Sequence, residues 1–252
     1  MLATFKRVLT LLFATLTIAA VLSAQSRINV AAAANLTEVA QDLGSRFEAA
    51  TKIHPVFSFG STAQLTQQIE NGAPFDLFLA ADAEHVEQLD KKGLLAPGTR
   101  AAYAVGVLAL WIPSAASPVR SIEDLISPQV RVISVAKPEL APYGAATMET
   151  LRNTGVLDKV QAKIVYADNI SMAKQYGTSG NADAVFTAYS LVLKNSGRVI
   201  QISEKLHKPI TQELGVVAAS PNKGDAGKFA DFVLHGDGRT ALKAFGYLSA
   251  TP

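Results

Sequence analysis

From Arg27 onward, short runs rich in β-branched and apolar residues alternate with stretches whose apolar residues recur at helical spacing. That alternation restricts the chain to the α/β class, in which crossover helices cover a largely parallel sheet. INVAAAA reads as a strand, and NLTEVAQDLGSRFEAATK as a helix with Leu36, Val39, Ala40, Leu43 and Phe47 on one face. HPVFSFG with TAQLTQQIENG, then FDLFLAAD with AEHVEQLDKKG, repeat the unit. YAVGVLALWIP reads as one longer strand stopped by Pro113. A second set follows: a helix at SIEDLI capped by Ser121, then VRVISVA, YGAATMETLRNTG, AKIVYA, SMAKQYGTSG and ADAVFTA as alternating strands and helices. QELGVVAAS adds a late strand, and AGKFADFVLHGDGRTALKAFGY one or two closing helices.

Two such sets with no Pro/Gly/Ser-rich linker predict two lobes joined by ordered strands, and GVLALWI and LGVVAAS are the expected crossings. Lobe one then takes residues 27–109 plus 214–252 and lobe two residues 110–213. A single doubly wound domain would use the same elements, because strand order is not written in the sequence.

Residues 1–26 read as a secretory signal peptide: Lys6 and Arg7, an apolar core from Val8 to Leu22, then the small and polar SAQS. The core is short for a membrane span of about 20 residues, so the reading is a cleaved signal, cut between Ala24 and Ser26, and an exported, periplasmic mature protein with no stable membrane insertion. Lys6 and Arg7 carry the whole net charge of +2, and the rest of the chain is formally neutral. That balance speaks against a strongly basic nucleic-acid binder. The absence of cysteine excludes a disulfide scaffold, a thiolate zinc site, a Cys nucleophile and a lipid-bearing N-terminal Cys.

Catalytic signatures are missing. His54, His85, His207 and His235 are scattered without an HExxH spacing, and there is no GxSxG elbow, Walker loop or GxGxxG. An exported α/β hydrolase, the rival from another class, lacks its nucleophile elbow here. What stands out is the polar chemistry where strands run into helices. Asn35 fits an N-cap with Glu38 three positions on; Gly60, Ser61 and Thr62 open the next helix. In the second set, Pro142, Tyr143 and Gly144 open one helix, and Asn169, Ile170 and Ser171 another. Taken singly, these are ordinary caps. Taken as two pairs, one per lobe, they aim helix N-termini from the strand ends at a shared cleft, which suits a small anion.

VAAAANLTEVAQDL, FSFGSTAQLTQQIENGAPFDLFLAAD, PELAPYGAATMETL and FADFVLHGDGRTALKAFGY together resemble the periplasmic molybdate-binding proteins of bacterial ABC importers. The resemblance spans nearly all of the expected mature chain, and STAQLTQQIENGAPFDLFLAAD is its most specific block. It implies a two-lobed type II periplasmic-binding fold, with a ligand cleft between lobes joined by two crossing strands. The ligand implied is molybdate, and usually also tungstate, with no cofactor and with molybdenum present only as the oxyanion. Implied ligands are Asn35 and Thr62, with Ser61 adjacent and sharing the role, and the backbone N–H groups of Tyr143 and Ile170. Some family members use a Tyr hydroxyl from the strand matching ADAVFTA; Thr187 aligns there and Tyr189 lies two residues on, and neither is assigned a role. The implied partner is a membrane permease, and the implied state a monomer.

Molybdate is a dianion at neutral pH, so a matched site presents donors only. Asp82 and Asp168 are accordingly read as structural, Asp82 opening a helix and Asp168 shaping a turn. The alternatives within the same fold are sulfate, phosphate or a small organic anion.

Overall fold

The computed structural model describes residues 26–250; the expected signal segment lies outside these residues, apart from Ser26. The first elements are β1 (Arg27–Ala33), α1 (Thr37–Thr51), β2 (His54–Gly60), α2 (Thr62–Glu70), β3 (Leu77–Leu79), α3 (Glu84–Lys91) and β4 (Ala101–Gly106). Then come β5 (Leu108–Ile112), β6 (Ile133–Ala136), α4 (Pro142–Asn153), α5 (Leu157–Val160), β7 (Ile164–Ala167), α6 (Ile170–Thr178), β8 (Ala184–Ala188), α7 (Tyr189–Val192) and β9 (Arg198–Gln201). The chain closes with β10 (Ile210–Val216), α8 (Lys223–Leu234) and α9 (Gly236–Ala244). Among the described residues no helix is long and apolar enough to cross a membrane.

The strands form two five-stranded mixed sheets, ordered β2-β1-β3-β10-β4 and β7-β6-β8-β5-β9. In the first, β1 runs parallel to β2 and β3, and β10 is antiparallel to β3 and β4. In the second, β6 is parallel to β7 and β8, and β5 is antiparallel to β8 and β9. The inner strands are covered on both faces, so β1, β3, β5, β6 and β8 read as nearly unbroken apolar runs. Along β1, Ile28, Val30 and Ala32 enter the core with Val39, Leu43 and Phe47 of α1, while Ala31 faces Leu65 and Ile69 of α2. Along β5, Leu108, Leu110 and Ile112 face one core and Ala109 and Trp111 the other. The period of two places alternate side chains on opposite faces.

Two strand readings need correction. YAVGVLALWIP is two strands: β4 ends at Gly106 in the first sheet and β5 begins at Leu108 in the second, so the chain changes sheets at Val107. The return does not run through LGVVAAS. β10 is held between β3 and β4, with Leu214 opposite Leu79 and Ile210 opposite Gly106, and the chain comes back through residues 202–209. SIEDLI forms only a 3-10 turn, Glu123–Ile126, and Ser121 is not its cap; the Asp124 carboxylate accepts from the N–H groups of Arg120 and Ser121 at 2.7 and 2.9 Å.

Candidate ligand-binding site

Helix entries from both sheets converge on one small cavity. Asn35 follows β1, Ser61 and Thr62 open α2, Tyr143 lies in the first turn of α4, and Ile170 begins α6; all five line it. The cavity measures about 10 Å³, close to the least space that holds one water. No Asp, Glu, Lys or Arg is among its lining residues.

Local sequence explains these entries. Ser61 caps α2 through a reciprocal capping box: its hydroxyl accepts from Gln64 N–H at 3.3 Å and its own N–H donates to Gln64 Oε1. Pro142 occupies the first turn of α4, where its missing N–H costs nothing. Asn169 caps α6 by accepting from Met172 N–H at 2.9 Å. The N–H groups of Thr62, Tyr143 and Ile170 donate to no other described residue. Each sits at the positive end of a helix dipole. Thr62 Oγ1 accepts from Ala81 N–H at 3.1 Å, which leaves its proton for another acceptor.

Asn35 is not the N-cap that its spacing to Glu38 predicts. It lies inside a 3-10 turn, Ala34–Leu36, and makes no cap bond. Its amide turns inward, and Nδ2 donates to Gln212 Oε1 and to the Tyr247 hydroxyl, both at 2.9 Å. Tyr103 Oη donates to Gln212 Oε1 at 2.7 Å or to Ala80 O at 2.9 Å, and Gln212 Nε2 donates to Tyr143 Oη at 2.9 Å. Tyr247 and Ser190 hydroxyls donate to Asn35 O at 2.8 and 3.0 Å. Burial pushes the phenols of Tyr103, Tyr143 and Tyr247 above the ordinary tyrosine range, so all three stay protonated and neutral. Sequence reading missed Gln212, Tyr103 and Tyr247. The one local hint is that Gln212 alternates with Ile210 and Leu214, on the face of β10 that is buried.

Asp82 accepts from His85 N–H at 3.0 Å at the start of α3, and Asp168 pairs with Lys137 at 2.7 Å; neither lines the cavity. Thr187 is buried in β8, and Tyr189 begins α7 with its N–H on Val107 O; they do not line it either. Across the cleft, Ser171 Oγ donates to Ala34 O at 2.8 Å and lies 3.2 Å from Thr37 Oγ1, while Lys174 pairs with Glu38 at 2.9 Å. Ala63 N–H donates to Leu140 O at 3.2 Å. The two halves are therefore closed on each other.

Likeness to known proteins bears on this arrangement. The molybdate-binding protein of Azotobacter vinelandii is 34% identical over 230 residues, 88% of this chain and 90% of that protein. That of Rhodobacter capsulatus is 32% identical over 231 residues, 90% of each. The solved structure of an Azotobacter vinelandii periplasmic molybdate-binding protein superposes with a TM-score of 0.86 at 30% identity, covering 89% of this chain and all of that one. Residues 28–248 match the family described as bacterial extracellular solute-binding protein, and to that family the chain belongs.

Proposed function

We propose that this protein captures molybdate, and tungstate with it, outside the cytoplasm and hands it to the permease of an ABC importer. The observation that carries the reading is a cavity between the two sheets lined by neutral groups, with unpaired N–H and O–H donors and no acid or base. A dianion in such a site is neutralised by helix ends and hydroxyls, whereas a lining carboxylate would repel it. Likeness to proteins that carry the molybdate-binding name supports the choice among oxyanions.

In this reading the lobes follow the sheets, one built on β1–β4 and β10 and the other on β5–β9. A tetrahedral oxyanion is larger than one water, so it enters when the lobes part. It then bridges Asn35, Ser61 and Thr62 of one lobe to the Tyr143 and Ile170 N–H groups of the other. Contacts made only with both lobes in place favour the closed form. The permease reads that form, and the protein works as a monomer that binds without turnover. The N-terminal segment directs export.

Calorimetric titration with molybdate, tungstate, sulfate and phosphate tests the reading. The double variant Asn35→Ala/Thr62→Ala removes side-chain bonds to an anion worth about 1.5–3 kcal/mol each, so molybdate affinity falls about 100-fold or more. Circular dichroism stays that of the parent. Undiminished binding by the variant overturns the site, and tight binding of phosphate with none of molybdate overturns the ligand.

A further inference from the structure

Asn35 is 1% exposed, and its Oδ1 has no hydrogen-bond partner among the described residues. Both bonds made by its Nδ2 go to Gln212 and Tyr247, which do not line the cavity. Oδ1 is therefore the side-chain atom of Asn35 left for whatever occupies the cavity, and it is an acceptor. A buried acceptor without a donor is costly, and facing an anion it is also repulsive.

The same heavy-atom positions satisfy a second pattern. Exchanging O and N in both amides at once puts Gln212 Nε2 where it donates to Asn35 Oδ1 and to Tyr103 Oη, over the separations of 2.9 and 2.7 Å. Tyr103 then donates to Ala80 O at 2.9 Å, Tyr143 Oη donates to Gln212 Oε1 at 2.9 Å, and Tyr247 Oη donates to Asn35 Oδ1 at 2.9 Å. Ser190 still serves Asn35 O. Every polar atom of this set except one has a partner, and the exception is Asn35 Nδ2, now a donor left for the cavity. The two amides reverse only together, because Gln212 is the neighbour that can turn from acceptor to donor. A phenol can follow either pattern by rotating its proton.

We propose that Gln212 is a positioning residue for oxyanion binding. It sets which end of the Asn35 amide meets the ligand, and anion binding selects the reversed pair. The register slip between Gln212 and Glu213 serves this role, since Gln212 pairs with Ala104 and Glu213 with Ala102, which leaves Tyr103 as the extra residue of β4 between them, with its hydroxyl on Gln212 Oε1. Gln212 also joins the two lobes, because its other bond goes to Tyr143. The inference rests on the oxyanion reading above.

The test is a double-mutant cycle on the full mature chain, read by molybdate calorimetry and, separately, by melting temperature. Gln212→Met alone weakens molybdate binding about 10-fold. In the Asn35→Ala background the further loss shrinks to the few-fold that its bond to Tyr143 across the cleft supplies, although it lowers the melting temperature in both. Equal loss of affinity in both backgrounds marks Gln212 as merely structural and overturns the proposal alone. A parent protein that binds none of molybdate, tungstate, sulfate and phosphate overturns the oxyanion reading and this proposal with it. Should a variant fail to fold, neutron diffraction from the molybdate-loaded parent decides. Deuterium on the Asn35 atom nearest the anion, and on the Gln212 atom nearest Asn35, is expected, and the opposite assignment overturns the proposal.

Discussion

Gly106 shows how narrowly the buried network is built. A Cβ at this position would collide with the Tyr143 hydroxyl and the Gln212 side-chain amide. The strand that leaves the first sheet passes against the two side chains that join the lobes. Gly106→Ala therefore forces them apart, and overpacking of this kind costs about 1–3 kcal/mol. Urea unfolding is expected to show that loss, with a fall in molybdate affinity beyond any change in an equally destabilised variant elsewhere. Asn35 illustrates why such residues resist sequence reading. An Asn three residues before a Glu is a proper cap signal, yet Gln212 and Tyr247, far along the chain, take the amide instead. Tertiary partners of that kind leave no trace in local spacing.

Elements were more legible, because their causes are local. The Ser61 capping box, Pro142 in the first turn of α4 and the Asn169 cap of α6 all follow from neighbours within four residues. Ser61→Ala removes the α2 cap at a cost of about 1 kcal/mol. A melting temperature about 2–4 °C lower is expected from calorimetric scanning. The break at Val107 was not legible, since apolar residues run without interruption from β4 into β5. Periodicity reports which face a side chain takes but says nothing of which sheet a strand joins. The misplaced return crossing has the same origin: Leu214 and Val216 are buried wherever β10 pairs, and only its partners β3 and β4 reveal the sheet.

At the scale of the whole molecule, the closed form depends on a few bonds across the cleft. Ser171→Ala removes the contacts with Ala34 and Thr37. One net hydrogen bond is worth about 1 kcal/mol, so the variant shifts the ligand-free protein toward the open form and weakens molybdate binding up to about 5-fold. Small-angle scattering in the absence of ligand should report a larger radius of gyration, and saturating molybdate should restore the parent value. An unchanged radius together with unchanged affinity would show that these bonds do not set the opening equilibrium.

The pairing of β10 between β3 and β4 also dictates an order of assembly. All of the second sheet, β5 to β9, is made before β10 exists. A chain growing from its N-terminus can finish the later sheet while the earlier one still waits for its fifth and last strand, which must insert between two already made. Non-local pairing of this sort is slow to form. The half that carries Asn35, Ser61 and Thr62 thus stays one strand short until the chain is nearly whole.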